Sequence, residues 1–154
     1  MSFAIQKMPV SAPGQPARLV GEGADQRLNV AVIFTSVEWT LAALKEAGYL
    51  ANHLSARIML IVPQIVPYPL PIERPPILAE CSERRFRVIA SHSPVETTVQ
   101  ICLCRDRLAG VKSILRPGSI VVLGGRRRWW PTKNEILARR LRRAGYEVIF
   151  KETE

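Results

Sequence analysis

Three dominantly apolar runs constrain this chain more than anything else in it: "LNVAVIF" at 28–34, "RIMLIV" at 57–62 and "IVVLGG" at 120–125. A strand with one face in water alternates polar and apolar residues, whereas a strand covered on both faces reads as continuous Val, Ile and Leu. Strands of the second kind belong to parallel sheets, and a parallel pair needs a crossover between its members. The stretch between the first two runs supplies one. Ser36 is a good N-cap, Glu38 sits where the helix dipole favours an acid, and Val37, Leu41, Leu44, Gly48, Ala51 and Leu54 form a stripe at helical spacing. Strand, helix and strand within about 35 residues make a right-handed βαβ unit.

Downstream, "PQIVPYPLPIERPP" is too rich in proline for a helix and reads as a stiff crossover loop. The spacing of Ile77, Cys81, Phe86 and Ile89 predicts a helix that Pro94 ends, and "VETTVQICLC" at 95–104 reads as a third strand. A short helix over "RDRLAGVKSIL" leads to "IVVLGG" as the fourth strand. Thr132 and Glu135 then form a T-x-x-E capping box for the helix "KNEILARRLRRA", which Gly145 closes before a last strand, "YEVIF" at 146–150. Five strands alternating with four helical segments define an open, doubly wound α/β domain over 28–154. Residues 1–27, with scattered Pro and Gly and weak periodicity, read as a flexible N-terminal arm.

Charge in the 154 residues is regional. Between Arg105 and Arg143 twelve Lys and Arg face only Asp106 and Glu135, a net +10, which leaves −1 for the rest of a chain whose total is +9. Such asymmetry suits an anionic partner or a solvated basic helix face. Cys102 and Cys104, two apart on a strand, share a face and read as packing rather than a metal site. Reduced thiols suit the cytoplasm, and no apolar run approaches the ~20 residues of a spanning helix. His53 and His92 stand alone, no serine or cysteine lies in a nucleophile-elbow context, and no Walker lysine loop occurs, so the chain reads as non-enzymatic.

The order of elements, with "NVAVIFTSVEWTLAALKEAGYLANHLSARIMLIV", then "SIVVLGG" and a capped helix before "YEVIF", resembles the universal stress protein family over roughly 28–150. The resemblance implies a five-stranded parallel sheet of order 3-2-1-4-5, a nucleotide site at the carboxyl ends of strands one and four, and a homodimer through the last strand. It implies ATP or AMP as the ligand and a regulatory, stress-associated binding role. Two departures stand out. The aspartate that ends the first strand in nucleotide-binding members is Thr35 here. The family's phosphate motif runs glycine, two residues, glycine, nine residues and Gly-Ser or Gly-Thr; Gly124 holds the first place, Arg127 stands at the second, and Thr132 follows Gly124 after only eight positions. Backbone N–H groups wrap phosphate where glycine dihedrals are allowed, so arginine side chains would have to supply the charge instead.

The candidate contact set is therefore Thr35, Val62, Gly124, Gly125, Arg126, Arg127, Arg128 and Thr132, the last opening a helix whose first N–H groups favour an anion. The alternative is a nucleic-acid-associated protein, with Arg139, Arg140, Arg142 and Arg143 for phosphates and Trp129 and Trp130 for stacking. A third reading places the Trp–Arg loop on an anionic membrane surface.

Overall fold

The computed structural model describes residues 4–10, 29–66 and 79–153. In chain order they form β1 (Ala4–Val10), β2 (Asn29–Ile33), α1 (Val37–Leu54), β3 (Arg57–Ile65), α2 (Ala79–Ser91), β4 (Thr97–Cys104), α3 (Arg107–Ile114), β5 (Ile120–Gly125), α4 (Lys133–Arg143) and β6 (Glu147–Glu152). The sheet order is β1-β4-β3-β2-β5-β6. The last five strands in sequence are parallel and lie in the expected 3-2-1-4-5 arrangement.

Two elements differ from the sequence expectation. Within the segment read as an arm, Ala4–Val10 pairs antiparallel with β4, Ala4 opposite Leu103 and Val10 opposite Thr97. Pro9 is compatible with this because β1 is an edge strand, where a missing N–H costs no interior ladder bond. The remainder of the arm, and residues 67–76 of the proline-rich crossover, lie outside the described residues. The second strand also continues through Pro63 to Ile65, paired with Cys102 to Cys104 of β4. The pairing with β2 ends at Ile61, whose carbonyl accepts from Phe34 N–H at 2.9 Å. Backbone groups alternate sides along a strand, so Pro63 turns its donorless nitrogen to the side where β2 has already ended.

Alternation along β2 divides the core. Val30 and Val32 join Leu60, Val62, Val99 and the α1 and α2 residues Leu44, Ala47, Phe86 and Ile89 on one face. Ala31 and Ile33 join Ile61, Val121, Leu123 and the α3 and α4 residues Val111, Leu137 and Leu141 on the other. The apolar face of α1 is rotated from the expected stripe. Thr40, Ala43, Leu44, Ala47, Gly48 and Ala51 are buried, whereas Val37 and Leu54 at the ends are 40% and 42% exposed. Small residues win because the helix lies close to its neighbours: a Cβ on Gly48 would collide with the Pro94 ring, 2.8 Å from its Cδ.

At the centre of the sheet Val32, Leu60, Val62, Val121 and Leu123 are fully buried. Phe34 lies just beyond β2 and is half-buried, edge-on to Phe86 at a centroid distance of 5.0 Å, with the Arg85 guanidinium 5.6 Å from its ring. Phe34→Ala is accordingly expected to cost about 2 kcal/mol, short of the ~3–5 kcal/mol of a fully buried phenylalanine. Urea denaturation of the variant measures the difference, and a loss near 5 kcal/mol would place the ring in the deep core.

Candidate functional site

In an open parallel sheet a ligand crevice lies outside the carboxyl ends of the strands, where neighbouring crossovers depart to opposite faces. Here that point falls between β2, which leads into α1 on one face, and β5, which leads into α4 on the other. The corner after β2 is tightly bonded. Ser36 caps α1 by accepting from Trp39 N–H at 3.3 Å. Thr35 donates its N–H to the Thr40 hydroxyl at 3.1 Å and its own hydroxyl proton to the Gly124 carbonyl, also at 3.1 Å. The residue in the place of the family's aspartate thus ties the two strand ends together, and Oγ1 keeps its lone pairs for a donor on a ligand.

The glycines at the end of β5 serve packing. Both are in extended strand, paired with Lys151 and Glu152. Among the described residues the glycines at positive φ are Gly118 and Gly145, in the turn before β5 and after α4. A Cβ on Gly124 would collide with the Trp39 carbonyl oxygen, 2.9 Å from its carbon, so only glycine lets the first turn of α1 approach so closely. A Cβ on Gly125 would sit 2.7 Å from the Phe150 ring and 3.4 Å from Asn134 Cβ. Val62 is buried within the α1–α2 core and presents no surface at the crevice.

Beyond β5 the chain is exposed from Arg126 to Pro131. Trp129 and Trp130 are 95% and 79% exposed, with centroids 6.4 Å apart and ring planes 24° from parallel. The three arginines are not equivalent. Arg127 Nε lies 2.6 Å from a Glu152 carboxylate oxygen and 3.8 Å from one of Glu135. The capping box forms as the spacing predicts, Glu135 N–H donating to Thr132 Oγ1 at 3.3 Å and Thr132 N–H to Glu135 Oε2 at 3.0 Å. Glu135 thereby places the chain's own carboxylate at the helix end expected to attract an anion. Arg126 and Arg128 remain as exposed cations, while Arg127 is matched by acids and fastens the loop to β6.

Sequence reasoning missed a second basic cluster, at the carboxyl end of β4. Arg105 Nη1 donates to the Val66 carbonyl at 2.7 Å, and Asp106 caps α3 by accepting from Ala109 N–H at 3.0 Å. Arg107 Nη1 donates to Asn134 Oδ1 at 2.9 Å, joining α3 to the first turn of α4. Burial lowers the pKa of this guanidinium from its ordinary value, partly offset by the neighbouring Cys104. The available signal was position: charge placed directly after an apolar strand falls at the carboxyl edge of the sheet. In the sequence it was absorbed into the regional count.

Cys102 and Cys104 are buried side by side against Gly110, where a Cβ would approach Cys104 Sγ to 2.7 Å and Cys102 Sγ to 3.4 Å. Their mutual hydrogen bond brings Cys102 down to about 7, and that bond, with burial, pushes Cys104 up. His53 and His92 each place Nδ1 against a carbonyl one turn back, Tyr49 O at 2.9 Å and Val88 O at 2.8 Å. Both close the ends of helices.

An open α/β sheet whose crossovers reverse between β2 and β5 is a doubly wound fold. Among solved structures the chain is similar to a crystal structure of a universal stress protein in complex with cAMP, with 17% sequence identity, a TM-score of 0.51, and coverage of 83% of this chain and 98% of that one. The chain has the universal stress protein fold, in a divergent form. No family model and no curated protein matches the sequence. Among the described residues no helix is long and apolar enough to cross a membrane.

Proposed function

We propose that this protein is a non-enzymatic, stress-associated regulatory module that binds a phosphate-bearing ligand, with ATP or AMP as the first candidates, outside the carboxyl ends of β2 and β5. The observation that carries this reading is the pair of exposed arginines, Arg126 and Arg128, flanking an acid-neutralised Arg127 directly beyond the β5 glycines. Their side chains take the part that a glycine-rich backbone plays in the intact motif. Thr35 Oγ1 offers lone pairs to a ribose hydroxyl or an exocyclic amine, and the Trp129–Trp130 rings offer apolar surface beside the charge. The similar solved structure holds cAMP, which supports a nucleotide as the ligand class.

A ligand that binds only the folded chain raises its stability by RT ln(1 + [L]/Kd), about 2.7 kcal/mol at a hundredfold excess over Kd. Thermal unfolding with ATP, AMP, cAMP and inorganic phosphate is therefore expected to show a raised Tm and a change in tryptophan fluorescence. Calorimetric titrations without heat for all four, joined to an unmoved Tm, would remove the reading.

Assembly forms part of the same proposal. β6 is the edge of the sheet next to β5, with one row of backbone groups left without a strand partner among the described residues. We expect a homodimer in which the last strands of two copies, 146–150 at their centre, meet antiparallel. Light scattering at micromolar and higher concentrations should give twice the chain mass, and the monomer mass throughout that range would count against it.

A further inference from the structure

We propose that Arg107, held by Asn134 at the head of α4, is the anion anchor of the crevice and binds a phosphate group of the ligand; this rests on the phosphate-binding reading above. Three observations carry it. The first is place. Arg107 follows β4 by three residues, and its partner Asn134 packs over Gly125 at the end of β5, so the guanidinium belongs to the carboxyl edge where the crevice opens. The second is charge. Arg127 meets two carboxylates, but among the described residues no carboxylate pairs with Arg107 and one acceptor, Asn134 Oδ1, meets its fork of five donors. The acids that could have matched it are committed elsewhere: Asp106 to the cap of α3, and Glu135 to Thr132 and Arg127.

The third is solvation. The side chain is half-buried between α3 and α4, so its charge is poorly served by water and, among the described residues, unmatched by a carboxylate. A partly desolvated cation without a counter-ion is stabilised by a mobile anion, and the planar fork matches two phosphate oxygens at once. A Lys or Arg on the open loop gains far less from the same contact, because water screens it. Arg126 and Arg128 then attract the ligand from outside, and Arg107 fixes its phosphate.

The test uses the full chain and four probes: inorganic phosphate, AMP, ATP and adenosine. Asn134→Asp places a carboxylate against Arg107 with almost no change of shape. It is expected to weaken phosphate, AMP and ATP binding by about tenfold or more, the worth of one charge-assisted contact, while leaving adenosine affinity and Tm unchanged or Tm raised. Arg107→Met, which keeps the length and removes the charge, should lose the same phosphate-dependent increment. Equal loss for AMP and adenosine would show that the contact only holds α3 to α4, and the inference would fall. Wild-type binding of AMP that survives both substitutions would also overturn it while leaving the nucleotide reading intact. Failure of the unaltered protein to bind any of the four probes overturns both. If Arg107→Met does not fold, Asn134→Asp decides alone.

Discussion

Leu60→Ala is expected to lower the free energy of unfolding by ~2–5 kcal/mol, the range of leucine truncations in a core that cannot collapse around the space left behind. Leu60 is fully buried in β3, opposite Val32 of β2 on one side and Val99 of β4 on the other, in the core shared with Phe86 and Ile89. Both flanking strands are fixed by parallel ladders, so relaxation into the cavity is limited. Urea denaturation should show a lower midpoint at an unchanged slope, which marks a change in stability rather than in the surface exposed. A loss under about 1 kcal/mol would mean that β3 is not central to the sheet.

Replacing Arg126 and Arg128 together by alanine is expected to weaken binding of AMP or ATP by about tenfold, since each exposed cation contributes no more than about 1 kcal/mol to a phosphate contact. Arg127→Ala should behave differently. Its ion pairs with Glu152 and Glu135 are largely exposed on the arginine side, so their loss should cost no more than about 1 kcal/mol of stability and leave ligand affinity nearly intact. Calorimetric titration of the two variants separates these outcomes. Loss of binding in Arg127→Ala, with little change in the double variant, would reverse the assignment of the loop cations.

Much of the fold is legible because its determinants are local. Strands covered on both faces announce themselves as continuous apolar runs, and the caps at Ser36 and at Thr132 with Glu135 require only residues three apart. Gly145, at φ 98°, closes α4 where a residue with a Cβ would be strained. What was illegible depends on contacts between distant segments. β1 exists only because β4 offers an unpaired edge, and Pro63 is tolerated in β3 only because β2 stops one strand over. The buried face of α1 turned toward small residues because Pro94 and β5 crowd it, which its own periodicity could not reveal.

The candidate site divides the same way. The contact set read from the sequence joins the β5 glycines and the arginine triplet to Thr35, and Thr35 does bond the Gly124 carbonyl. It treated Arg126, Arg127 and Arg128 as one unit, because nothing in "GGRRRWW" tells which arginine finds an acid. Glu152 reaches Arg127 through the β5–β6 pairing, and Arg107 reaches Asn134 through the packing of α3 on α4. Charge counting along a chain records how many cations a region carries. It does not record which of them the fold has already neutralised.

The antiparallel pairing of β1 with β4 has a consequence for association. A five-stranded parallel sheet would end on β4 and β6. With β1 laid along β4, the interior β4 edge is consumed, and the outermost ladder there runs in the opposite direction from the rest of the sheet. In the proposed homodimer, pairing of β6 with β6 about a two-fold axis would use the same strand of both molecules, and the continuous sheet would end on β1 at either side. Further growth would have to template on β1, an edge strand in which Pro9 lacks an N–H. Fibre formation on removal of residues 4–10, against a discrete dimer for the intact chain, would reveal β1 as the chain stopper of the assembly.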